Sequence, residues 1–282
     1  MKRIVLSKLI GAVAFGMALG SHAQMQAPSL TESAKMTPLQ RAKTGKALWE
    51  EKCRTVAGEK IYRKVENVEG LLLMKVRPQA SQRQWADPNW PGAAFALEAR
   101  ADEYINTFLG CEVAAGEPTG KPGVLSSKNR GFVTTGCGGD AISLSTAPGY
   151  RWVEVIDSKD GKRYRYLLVE KPRPTSKIGW IDIVLDKTPS PSPTSPRYGV
   201  TFDDHVIPDE RYLGLASSTV KVIDLETKEV LGEMLRYAWS VPASSANPNP
   251  WLTAYKCPGH AVGASAATRK FVDQILIPTK DK

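Results

Sequence analysis

Apolar and polar residues follow two rhythms along this chain, and their order sets out the expected fold. From Thr37 the rhythm is helical: Leu39, Ala42, Trp49, Cys53 and Val56 recur at mostly helical steps, which puts Cys53 on the face of Trp49. Thr37-Pro38-Leu39-Gln40 is a helix start, with threonine as N-cap, proline in the first turn and glutamine three residues past the cap. Between Lys60 and Val76 the pattern changes. Ile61, Tyr62, Val65, Val68 and the Leu71-Leu72-Leu73-Met74 run predict one or two strands with a turn near Asn67. Gln79 to Gly92 is a loop carrying Trp85 and Trp90, and Leu97 to Leu109 fits a helix or a strand equally. Glu112 to Gly149 is rich in glycine and poor in apolar residues, so it is expected to be irregular.

The second half alternates more clearly. Trp152 to Ile156 and Tyr164 to Val169 flank Asp160-Gly161, a strong hairpin signal. Ile178 to Leu185 and Tyr198 to Phe202 are further strands, separated by a Pro/Ser loop over 188–197. Val220 to Leu225 and Val230 to Trp239 flank Glu226-Thr227-Lys228-Glu229 as a second hairpin. Ala264 to Leu276 is expected to close the chain as an amphipathic helix with Phe271, Val272 and Ile275 on one side. The sum is an α+β fold: a mainly antiparallel sheet built from hairpins, flanked by N-terminal and C-terminal helices and stapled by disulfides. One domain is expected over 37–282, behind a small, polar and disordered leader at 24–36.

The first 23 residues stand apart. Lys2, Arg3 and Lys8 frame the apolar run Leu9 to Leu19, which ends at Ser21-His22-Ala23. A basic start, a short apolar core and small residues at −3 and −1 form a cleavable secretory signal. The mature chain is therefore expected in the periplasm or outside the cell, with no membrane span after cleavage. Losing Lys2, Arg3 and Lys8 leaves 35 basic against 29 acidic residues, so the formal excess falls from +9 to +6. That charge is spread without a dense run and indicates solubility, with an anionic partner as the sharper alternative. Nucleic acid is not expected, since no binding motif occurs.

Export changes the meaning of the four cysteines, Cys53, Cys111, Cys137 and Cys257. An even count in an exported chain means two disulfides, here expected as Cys53–Cys257 and Cys111–Cys137. Gly136-Cys137-Gly138 is a flexible turn that would expose a nucleophile, but a thiol nucleophile has to stay reduced. The cysteine spacings match no zinc pattern. With only His205 and His260 left after processing, no metal and no cofactor are expected.

Catalytic signals are sparse. Ser218-Thr219-Val220-Lys221 matches S-x-x-K, yet it runs into Val222 and Ile223, a strand pattern that sends Ser218 and Lys221 to opposite faces. Asp203-Asp204-His205, with Asp209 and Glu210 nearby, is the densest group of catalytic residue types, and it also resembles an ordinary polar turn after a strand. Trp85 and Trp90, with Arg83 beside them, form the main binding candidate, because exposed rings stack on sugars or anchor interfaces. The competing role for both rings is to pin a long loop onto the core. The function expected from these features is an exported envelope protein that binds a protein or an anionic envelope polymer, in the manner of an inhibitor or immunity-type protein. A periplasmic hydrolase using Asp203, Asp204 and His205 is the alternative.

Overall fold

The computed structural model describes residues 25–98, 102–113, 133–134, 145–147, 149–173, 181–258 and 267–279. Its strands, in chain order, are β1 (Gly58–Ile61), β2 (Val65–Val68), β3 (Gly70–Leu73), β4 (Cys111–Val113), β5 (Val133–Thr134), β6 (Ser145–Ala147) and β7 (Trp152–Ile156). They continue with β8 (Arg163–Pro172), β9 (Ile181–Pro189), β10 (Tyr198–His205), β11 (Leu215–Asp224), β12 (Val230–Trp239), β13 (Tyr255–Cys257) and β14 (Leu276–Pro278). Nine of them form one sheet in the order β1-β12-β11-β10-β3-β7-β8-β9, with β13 also pairing β12. Most pairs are antiparallel, and the two expected hairpins are present as β7–β8 and β11–β12. The α+β class read from the sequence is the observed one.

The sheet is mixed because β3 runs parallel to both β10 and β7. Leu71, Leu72 and Leu73 of β3 are all buried, as expected of a strand covered on both faces. On one face, Val153, Val200, Phe202, Val220, Val222 and Met234 pack against Tyr104, Phe108 and Phe271. Those rings come from helices Glu103–Leu109 and Ala267–Val272. The other face packs under helix Pro38–Thr55, where Leu48 meets Leu213, Leu215, Tyr237 and Trp239.

That long helix starts as its sequence predicts, with the Thr37 side chain and Gln40 bonding each other's backbone N–H groups. It lies close to the sheet because Gly45 has no side chain: a Cβ there would fall 2.1 Å from the Leu213 carbonyl oxygen. Its far end is tied to β13 by the Cys53–Cys257 disulfide, the expected pairing, with 5.8 Å between Cα atoms. The second expected pairing cannot be followed, because Cys137 lies outside the described residues.

Several elements differ from expectation, among them a third strand over 58–73, with Asn67 inside β2, and the short helix Gln82–Ala86. The closing helix, described from Ala267, ends at Val272, and Leu276–Pro278 follows it as β14 to pair in parallel with β2. Phe271, Val272 and Ile275 are buried together all the same. Within the segment expected to be a disordered leader, Leu30–Ala34 is helical, capped by Ser29 and docked through the Leu30 N–H on Asp209 at 2.8 Å. β10 runs on to His205, so Asp203-Asp204-His205 belongs to a strand instead of a turn. Strands on both sides of the Pro/Ser loop share the sheet, and Arg163 fastens that loop by donating to Ser190 and Ser195. No helix among the described residues is long and apolar enough to cross a membrane.

Candidate functional site

Because side chains alternate along a strand, the Asp203-Asp204-His205 group is divided between two faces. Asp204 turns inward with Phe202, where both of its oxygens accept from Arg77 at 3.0 Å and one accepts from the Ser218 hydroxyl at 2.6 Å. Arg77 lies over the Phe202 ring at 3.9 Å and stands 3.6 Å from Glu98. Glu98 in turn accepts from Arg236 and from Thr268. Burial works against the Arg77 charge, but Asp204 and Glu98 outweigh it and hold the guanidinium above its usual range. Burial raises the Tyr104 phenol above its usual range; Arg77 acts against the shift, and Glu98 and Asp204 add to it. These charges neutralise one another inside the protein, and they join β10, β11, β12 and the closing helix.

Asp203 and His205 turn outward into a polar cleft of about 470 Å3 together with Thr219, Lys221 and Glu233. The Lys75 hydrogen bond at 2.6 Å holds the Asp203 carboxyl below its usual range. His205 Nε2 lies 2.9 Å from Thr219 Oγ1, and Lys221 pairs with Glu233 at 3.4 Å. A histidine beside a hydroxyl is a minimum for nucleophilic chemistry. Ser218 and Lys221 lie on opposite faces of β11, as the strand pattern requires. No group of three metal-ligating side chains occurs among the described residues.

Trp85 is buried in a short helix, Gln82–Ala86, and meets the half-buried Trp90 edge-on at 5.5 Å between centroids. Both rings pack with Phe95 and Trp251, so they fasten their loop from beneath, while Arg83 stays exposed. The loop they hold has its own use. Pro88 and Asn89, between the two rings, form one wall of an apolar cleft of about 400 Å3.

The remaining walls of this cleft come from distant parts of the chain. Leu30 and Arg41 come from the N-terminal helices, Pro208, Arg211, Tyr212 and Gly214 from the β10–β11 connection, and Ser240 to Ala243 from the chain after β12. Pro250 and Trp251 complete it, with the Trp251 indole donating to the Asp87 carbonyl at 2.8 Å. Gly214 has φ +82°, and a Cβ there would sit 2.1 Å from the Ser240 carbonyl oxygen, so only glycine lets these two segments meet.

Two guanidinium groups are the charged side chains of this cleft. Arg211 is buried, spans from Pro91 to His205 by donating to both carbonyls, and lies 5.2 Å from the Trp251 ring. Burial brings its pKa down to about 10, which leaves it charged at neutral pH. Arg41 lies over the Tyr212 ring at 5.0 Å. Neither forms a salt bridge with a carboxylate among the described residues, and the Nε of each is buried without a hydrogen-bond partner. Around the mouth, Leu30 and Val241 are 42% and 47% exposed, and the chain neighbours Ile207 and Leu252 are 42% and 41% exposed. Leu30 and Val241 are thus exposed apolar residues of the cleft lining itself, and Ile207 and Leu252 adjoin lining residues in the chain.

The loop at 79–92 is legible in the sequence, but the charged and aromatic groups of this cleft are not. Its only signal was proline density, at Pro88, Pro208, Pro242 and Pro250. Compared with protein-family models, curated proteins and solved structures, the chain has no significant match.

Proposed function

We propose that this chain is an exported envelope protein that binds a protein partner through the cleft between Leu30, Arg41, Tyr212, Val241 and Trp251. One observation carries the reading. A preformed apolar cleft of about 400 Å3, ringed by exposed Leu30 and Val241, holds two arginines with no carboxylate salt bridge among the described residues. Concave, mostly apolar sites with a few convergent polar groups are where ligands and partner side chains insert. Export is supported by the signal pattern of residues 1–23 and is compatible with the Cys53–Cys257 bond. Inhibition or neutralisation of a secreted enzyme or toxin fits a rigid surface of this kind, presented by a large sheet.

The test is affinity capture from envelope extract with two proteins in parallel, wild type and the Leu30→Asp/Val241→Asp variant. Both substitutions fall on exposed positions, so the melting temperature should be nearly unchanged. The expected result is a stoichiometric partner on the wild type, reduced at least about tenfold on the variant. Equal recovery on both, or retention only of anionic polymer in a salt-dependent way, contradicts the reading.

A further inference from the structure

The composition of the cleft narrows what can enter it. Four of its lining residues, Pro88, Pro208, Pro242 and Pro250, have no backbone N–H to offer. A peptide threaded through such walls would leave a row of carbonyl groups without donors, at a cost for each one buried. Donors are concentrated instead in side chains: the guanidinium groups of Arg41 and Arg211, and the Asn89 amide, which makes no side-chain hydrogen bond among the described residues. Apolar surface from Leu30, Val241, Ala243 and Trp251 lies alongside. The matching ligand has one concentrated negative charge and one adjoining apolar group. It has little backbone to satisfy.

Building on the binding reading above, we infer that the cleft takes the C-terminal end of a polypeptide, with the free carboxylate on Arg41 and an apolar last side chain against the prolines and Trp251. Planar guanidinium and carboxylate groups pair through two parallel hydrogen bonds, which favours arginine at such a position. Arg211 adds a second positive charge from the floor, while its own N–H groups remain on the Pro91 and His205 carbonyls. An acidic side chain in mid-sequence would bring flanking peptide groups against walls poor in donors. A chain end brings them on one side only.

The experiment is a calorimetric titration of the mature, oxidised protein with acetyl-Gly-Ser-Gly-Leu bearing a free C-terminal carboxylate, with its C-terminal amide, and with octanoate. Backbone amide shifts at Val241 and Tyr212 report where each probe sits. The free acid should bind at least about tenfold more tightly than the amide, as the loss of a charge-assisted pair implies. Arg41→Gln should remove that difference with only a small fall in melting temperature, since Arg41 makes no salt bridge among the described residues and gives up one contact with the Tyr212 ring. Equal binding of acid and amide in the cleft overturns the carboxylate assignment and leaves the docking reading standing. Octanoate binding as tightly as the peptide acid overturns the assignment to a polypeptide end. If no probe moves the cleft resonances while partner capture still depends on Leu30 and Val241, the chain-end inference falls alone. If capture is indifferent to those two residues, the docking reading falls with it.

Discussion

Lys75 and Arg77 lie two residues apart and pair with the neighbouring aspartates Asp203 and Asp204, yet the two pairs do different work. Lys75 and Asp203 are about half exposed, at 51% and 53%, so water competes for both charges. Arg77 is 1% exposed and bridges Asp204, Ser218 and the edge of Glu98 beneath the Phe202 ring. Removing the arginine takes away the salt-bridge partner of the nearly buried Asp204, while Glu98 keeps Arg236 and Thr268. Arg77→Met should therefore lower the unfolding free energy in urea by about 3–5 kcal/mol. Lys75→Met should change it by no more than about 1 kcal/mol. Similar losses for both would mean that burial is not what separates them. This division was only partly legible in the sequence. Strand alternation shows that Ser218 and Lys221 part, but Asp203-Asp204-His205 reads locally like a polar turn, where alternation does not apply. Nothing local shows that β10 continues three residues past Phe202, because the support comes from Ser217, Ser218 and Thr219 across the ladder.

Among the elements, those with strong local chemistry were legible and those held by distant contacts were not. The Thr37/Gln40 capping box and the Asp160-Gly161 turn are written in four or fewer residues, and both appear where expected. The closing segment is different. Its helical spacing is real, but the helix ends at Val272, since Leu276 and Pro278 find β2 as a parallel partner about 210 residues away in the chain's first half. Parallel pairing of β3 with β10 and β7 likewise has no turn between partners to announce it. The Leu30–Ala34 helix is hidden for the same reason: it is too short to persist alone and is docked on Asp209. Helix Pro38–Thr55 has a covalent support as well. The Cys53–Cys257 bond closes a span of 204 residues, and a crosslink over so long a loop restricts the unfolded chain strongly. The Cys53→Ser/Cys257→Ser variant should lose about 2–5 kcal/mol of stability by urea denaturation. An unchanged denaturation midpoint would show that the helix is held by Leu48 and its neighbours alone.

The whole molecule presents its cleft as a product of assembly. Leu30, Arg41, Pro88, Arg211, Val241 and Trp251 come from six separated stretches, brought together at one end of the sheet by the β10–β11 connection and the turn after β12. No window of sequence contains more than a fragment of it, so Trp85 and Trp90, the fasteners, are visible along the chain and the surface they support is not. The claim that this surface meets a partner is tested most directly by site-specific photocrosslinking in the native cell envelope. The crosslinking amino acid would be placed at Val241 and, as a control, at Ile183 on the edge strand β9. A discrete protein adduct from Val241, with none from Ile183, is the expected result. No adduct from Val241, or the same adducts from both positions, would contradict a partner site in the cleft.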